Sequence, residues 1–401
     1  MILILVLSFA VFISMGLPNS ILGSAWPIMY QKLNVPVNSA GIISMLISGG
    51  TIISGFTSVR LIRRFGTGRV IAASKILTAL SLIGFAVSGH FWLLTLLAIP
   101  LGLGAGAIDT GLNGFVALHY KARHMNWLHS FWAVGAALGP VIMALSLKRW
   151  HTWESGYLAI AFIQLVMFVV LLIALPLWRR AAEVPSQNGI TEHHILPLRQ
   201  LIRLPGAKQT LIALFGICGI EASVGLWGST FLVLVRNIPE ETAVGWITLY
   251  FSGIMVGRFL SGFLSIVLSD RQLIQYGQVL IAIGIGMLFF TLSNGLLLTA
   301  LFLVGLGIAP IVPSMLHSTP AHFGSRFSQS IMGVQMASVF AGSAFVPPLF
   351  GLIAQEKYYG LFPHFLAVIL VLMFFTVNML YRSVQGREGL LEPQDEVSTS
   401  G

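Results

Sequence analysis

The chain has 401 residues, 56% of them hydrophobic and 9% charged, with a formal net charge of +9. A soluble domain is about one quarter charged, so this much apolar surface excludes a water-bounded globular fold and makes lipid the main solvent. The single cysteine, Cys218, excludes an internal disulfide framework, and the scattered Lys and Arg form no dense stripe for nucleic acid.

A helix crossing the hydrocarbon needs about 20 apolar residues. Twelve such segments are expected, at 1–26, 38–59, 70–89, 92–118, 126–147, 155–178, 208–235, 242–267, 271–293, 296–318, 327–353 and 359–382. The first has no Lys or Arg before Lys32, so it reads as a retained transmembrane helix and not a signal peptide. It carries Asn19 beside Pro18, where a proline frees backbone carbonyls.

Between the second and third spans lies the basic loop "GFTSVRLIRRFGTGR", with Arg60, Arg63, Arg64 and Gly66. The third span contains Lys75. The fourth contains "GLGAGAIDTGLNGF", in which Asp109 is the one acid and Asn113 follows it by four, on the same helix face. Its glycines permit close packing or a ligand beside the backbone.

The fifth span opens "HMNWLHSFWAVGAALGP". Asn126, His129 and Trp132 are spaced by three and form one polar and aromatic stripe, suited to a sugar's hydroxyls and apolar face. Asn126 also fits a helix cap, and His129 fits a bond between helices. Residues 179–207 are polar and form a linker between two six-helix halves, 1–178 and 208–382, followed by a tail, 383–401. The seventh span reads "GICGIEASVGLWGSTFLV", with Glu221 near its middle and Trp227 close by. Glu221 fits either substrate binding or a bond between helices. Arg258 lies inside the eighth span, and Pro310 and Pro313 are placed to bend the tenth. Trp92, Trp150, Trp153 and Trp178 sit at span ends and read as interfacial anchors.

Only Asp109 and Glu221, of thirteen acids, fall well inside spans. Ionisable groups there are costly and usually face a cavity. Apolar burial favours the neutral form of a carboxyl group, so a lone acid with no adjacent base suits a proton carrier. The competing reading ties it to a neighbouring helix, or pairs it with Lys75 or Arg258. Fifteen of the 22 Lys and Arg fall in alternate loops and the tail, which places both termini in the cytoplasm of a cell-membrane protein. "GLG" at 102–104 recurs at 305–307, and Gly41, Ser48 and Gly49 recur as Gly245, Ser252 and Gly253, offsets of 203 and 204. Duplication of one half is the expectation.

Twelve spans in two halves, a central linker and the basic loop resemble the major facilitator superfamily over nearly the whole chain. Gly66 matches a glycine of the superfamily's loop signature, Gly-x-x-x-Asp-Arg-x-Gly-Arg-Arg, while Arg63 stands where that signature has its acid. "GLGAGAIDTGLNGF", "MNWLHSFWAVGAALGP", "GIEASVGLWGSTFL" and "GIMVGRFLSG" look most like the group of fucose–proton symporters and sodium-dependent glucose transporters. The resemblance implies an all-α integral membrane protein of two pseudo-symmetric six-helix bundles. It also implies a secondary transporter and not an enzyme, working as a monomer in the lipid bilayer, with a monosaccharide as substrate partner.

Asp109 inherits the proton-coupling position, and no metal or organic cofactor is expected; the coupling ion is a proton, with sodium as the alternative. The substrate candidates are Asn19, Asn113, Asn126, His129, Trp132, Glu221 and Trp227, and the gating candidates Arg60, Arg64, Gly66 and Arg258. "GAALGP" also resembles part of a drug–proton antiporter motif, and a non-transporting receptor is the rival from another class.

Overall fold

A computed structural model describes residues 2–120, 122–182, 198–290, 293–355 and 357–385. Those residues are mostly helical, with no strand among them. The first half comprises α1 (Ile2–Lys32), α2 (Ala40–Phe65), α3 (Thr67–Val87), α4 (Phe91–His119), α5 (Ala122–Trp150) and α6 (Trp153–Ile173). Two short helices, α7 (Leu175–Ala182) running into the linker and α8 (Leu198–Leu201) within it, border linker residues 183–197, which lie outside the described residues, as do residues 386–401 of the tail. The second half comprises α9 (Ala207–Leu234), α10 (Glu240–Leu264), α11 (Asp270–Leu288), α12 (Asn294–Ile308), α13 (Ile311–His317), α14 (Thr319–Phe323), α15 (Ser325–Ala354) and α16 (Phe362–Gln385).

Eleven of the twelve expected spans are long and apolar enough to cross a membrane. The ninth, α11, falls short because Asp270 and Arg271 open it and Gln272, Gln275 and Gln278 follow within its first three turns, yet it packs on α12 and α16 like the others. The tenth breaks between α12 and α13 at Pro310. A proline has no N–H to donate and its ring crowds the carbonyl one turn back.

The two halves repeat one pairing. In the first, α1 packs on α5, α2 on α4, and α3 on α4 and α6; in the second, α9 packs on α15, α10 on α12, and α11 on α12 and α16. Glycines set the register. A Cβ on Gly102 would lie 2.0 Å from the Ile47 carbonyl oxygen, and one on Gly305 2.0 Å from that of Tyr250. Gly50 closes on Ile99 as Gly253 closes on Phe302, with 2.7 and 2.3 Å to the carbonyl oxygens. Each of these residues is 203 positions from its counterpart. The offset of 204 read from Gly41 and Gly49 is therefore one residue out. Gly49 and Gly245 face open space, and Gly50 is the true partner of Gly253. Small residues let helix backbones touch where lipid supplies no hydrophobic drive.

The halves meet at the face opposite the termini. A Cβ on Gly23 of α1 would stand 2.1 Å from the Gly225 carbonyl oxygen of α9, and Gly41 of α2 abuts Pro348 of α15. Gln31 Nε2 donates to Glu240 across this seam at 2.7 Å. Below it, α5 runs against α10 toward the middle of the molecule.

Two of the expected anchors are core residues. Trp92 and Trp150 are 76% and 60% exposed, whereas Trp153 and Trp178 are 1% and 4% exposed. Trp153 stands edge-on to Tyr157, and Trp178 lies over Gly68 and against Phe115, so each fills space that only a large ring occupies.

Candidate functional site

Arg258 is the hub of the mid-membrane polar groups. It comes from α10 of the second half and reaches α5 of the first. Its Nη1 donates to the His129 carbonyl at 3.1 Å, and its guanidinium lies 4.9 Å from the Trp132 ring centroid. Its Nη2 is 3.6 Å from Glu221 Oε1 of α9. Tyr250 Oη donates to the backbone carbonyl of Glu221 at 2.9 Å, holding α10 to α9 about two turns before Arg258. A guanidinium suits this place because its planar fork can serve a carboxylate and an aromatic face together. The pair is partly solvated, with side-chain exposures of 17% and 19%. The His129 ring turns edge-on to Phe12 of α1.

Asp109 lies on α4 between the face packed on α2 through Gly102 and Gly106 and the face carrying Ile108 and Leu112. It is half-buried. Asn113 Nδ2 donates to its Oδ1 at 3.0 Å, while Asn113 Oδ1 is buried without a partner. No cation pairs with Asp109 among the described residues. Asn19 is exposed although α1 is enclosed by α2, α4, α5, α6, α9 and α10. An exposed side chain on an enclosed helix faces the space between the halves.

The structure therefore gathers His129, Trp132, Glu221 and Arg258, and separately joins Asp109 to Asn113. Trp227 is in neither group. Its indole is fully buried near the closed face, where Nε1 donates to the Pro347 carbonyl at 2.8 Å among Phe350 and Tyr359. Asn126 sits in the first turns of α5, and its side chain lies outside the described residues. Arg60 and Arg64 are exposed on the last turns of α2, with Arg64 over the Phe65 ring at 5.3 Å. Gly66 joins α2 to α3 at φ 84° and ψ 152°, a conformation open essentially to glycine alone.

Sequence reasoning missed Tyr250, whose hydroxyl gave no spacing signal. It offered Lys75 as a partner for Asp109, whereas the structure bonds it to neutral groups. Lys75 is fully buried, bonded to Ser14 Oγ at 2.6 Å and Gln164 Oε1 at 2.8 Å, and is in no ion pair among the described residues.

Residues 7–265 match the sequence model of the Major Facilitator Superfamily, which is more than half of the chain. The chain belongs to that superfamily. Among relatives, it is 23% identical to the glucose/mannose transporter GlcP of Bacillus subtilis, over 86% of each chain. It is 24% identical to a putative glucose/galactose transporter of Helicobacter pylori, covering 79% of this chain and 80% of that one. A bacterial homologue of the human lysosomal transporter Spinster, solved in an inward-facing and occupied conformation, superposes with a TM-score of 0.72 at 11% identity. That match covers 95% of this chain and 96% of the other, and it establishes the fold of this multi-pass membrane protein.

Proposed function

We propose that this protein is a secondary transporter carrying a monosaccharide together with a proton, by alternating access, with Asp109 as the proton carrier. The observation that carries the reading is the state of Asp109: mid-span, half-buried and bonded only to the neutral Asn113. The named sugar transporters among its relatives support the substrate class.

With Asp109 protonated, no net carboxylate charge opposes a sugar beside this pair, and the Asn113 acceptor, buried in this arrangement, takes a sugar hydroxyl once the halves move. Trp132 supplies an apolar face, and Asn19 further polar atoms from α1. Arg258 holds α10 to α5 while the halves are closed at the face opposite the termini. Opening that face requires Gln31 to release Glu240, and rocking along α5 and α10 strains the contacts of Arg258 with His129 and Trp132. Ligand and proton bias that equilibrium by binding one arrangement better than the other.

Uptake of labelled monosaccharides into proteoliposomes tests this. An inward proton gradient without sodium is expected to drive accumulation that a protonophore abolishes. Asp109→Asn should lose accumulation while retaining counterflow. Full gradient-driven accumulation by Asp109→Asn would remove the proton role, and accumulation that follows a sodium gradient at constant pH would replace the coupling ion.

A further inference from the structure

Four charged side chains lie within the spans away from their ends, one acid and one base in each half. In the second half they meet, as Glu221 and Arg258. In the first, Asp109 bonds to Asn113 and Lys75 bonds to neutral groups.

The contacts of Lys75 suit an ammonium. Its Nζ lies 2.6 Å from Ser14 Oγ, 2.8 Å from Gln164 Oε1 and 3.4 Å from the Val11 carbonyl oxygen. Ser14 has one hydroxyl proton, and the Val11 carbonyl 2.8 Å away is placed to accept it. Gln164 Nε2 donates to the Ser14 carbonyl at 2.5 Å, which turns its oxygen toward the lysine. All three neighbours of Nζ are thus acceptors. Only an ammonium has three N–H groups to give; a neutral amine would be met only by turning the Ser14 hydroxyl from the Val11 carbonyl to Nζ.

The charge inside the membrane then depends on Asp109. When its carboxylate is bare, Lys75 and Asp109 sum to zero, and Glu221 with Arg258 also sums to zero. A proton joining the carboxylate leaves Lys75 uncompensated. His129, with its ring against Phe12, the buried Cys218 thiol one turn before Glu221, and the phenols of Tyr157 and Tyr250 are further titratable groups at depth. The arginines ending α2 are exposed at the termini face. We propose that Lys75 is a fixed ammonium that makes the proton-loaded transporter cationic and the empty one neutral, so that membrane potential acts on the loaded step. This rests on the reading of Asp109 as proton carrier.

Sugar counterflow tests it, because only loaded protein crosses in that mode. Proteoliposomes of the full chain are held at equal pH on both sides, with potential set by potassium and valinomycin. One charge crossing the whole membrane shifts an equilibrium about 50-fold per 100 mV, and a charge crossing part of it shifts rates several-fold. Wild-type counterflow should change several-fold between 0 and about −100 mV. Lys75→Gln should make counterflow insensitive to potential and move the sensitivity to the return of the empty form. A brace without an electrical role would lower thermal stability and leave the potential dependence as it was.

Wild-type counterflow indifferent to potential overturns the proposal, as does Lys75→Gln with wild-type dependence. Should Lys75→Gln not fold, ¹⁵N resonances of lysine-labelled wild type decide the charge. Lys75 is the one fully buried lysine among the described residues, so its signal is the one shielded from water. An amine signature there overturns the proposal and an ammonium signature supports it. Absence of counterflow for every sugar overturns the transport reading and the voltage assignment together, while the ammonium still stands or falls on its resonance.

Discussion

The two halves share a frame and differ in what they enclose. Ile47 against Gly102 and Tyr250 against Gly305 are the same backbone contact at the same distance, 203 residues apart. The polar interiors diverge. At the same offset Lys75 of α3 becomes Gln278 of α11. Around Lys75 every polar atom has a partner, whereas both amide atoms of the buried Gln278 have none among the described residues. Gly216 of α9 packs on Ile369 and Met373 of α16, so the second half is apolar where α1 and α6 of the first supply Ser14 and Gln164. Backbone contact is what the repeat preserves, and side-chain chemistry is where the halves specialise.

The sharpest way to break that comparison is at the shared frame. Gly102→Ala and Gly305→Ala each drive a methyl group into a carbonyl oxygen of a neighbouring helix, and neither backbone can move without its partner helix. Each should cost about 3 kcal/mol, read as a large drop in unfolding temperature in detergent or as loss of folded protein. Gly49→Ala and Gly245→Ala meet open space and should stay within about 0.5 kcal/mol of wild type. Equal effects at all four positions would mean that the repeat register is not carried by these contacts.

The divergent interiors should respond in opposite directions. Gln164→Leu takes one acceptor from a buried ammonium and one donor from the Ser14 carbonyl, a loss of about 2–3 kcal/mol. Gln278→Leu removes two unpartnered buried atoms at similar volume and should be neutral or stabilising by up to about 1 kcal/mol. Paired thermal melts of the two variants check the contrast. A loss at Gln278 as large as that at Gln164 would show that Gln278 is satisfied by bound water.

Much of this frame was legible in the chain because lipid demands continuous apolar runs, and glycine strings mark where such runs touch. The repeat was legible at Gly102 and Gly305 but slipped by one at Gly49, since small residues adjacent in sequence differ only in which side of the helix they face. Asp109 and Asn113 were legible together because a spacing of four puts them on one face. The meeting of Arg258 with His129 and Trp132 was not, because it depends on how two halves more than 120 residues apart in sequence lie against each other. The tryptophans show the same limit. Their places at span ends suggested interfaces, yet Trp153 and Trp178 turn inward, and only the neighbouring helix decides which way a ring turns.

Trp227 offers the smallest and most specific test, because the first half holds a tryptophan in a similar setting. Trp26 of α1 and Trp227 of α9 are both fully buried near the closed face. Each indole donates to a backbone carbonyl, Trp26 to Val37 at 2.6 Å and Trp227 to Pro347 at 2.8 Å. Both are consistent with bracing the frame. Neither indole is exposed to the space between the halves. Trp26→Phe and Trp227→Phe each remove one buried hydrogen bond and keep most of the ring, so each should cost about 1–2 kcal/mol. Half-saturating sugar concentration should remain unchanged in both. A ligand stacked on Trp227 would separate the two variants, raising that concentration in Trp227→Phe alone. Equal losses of stability with unaltered sugar affinity would instead assign both rings to the shared frame, and leave recognition to the side chains on which the halves differ.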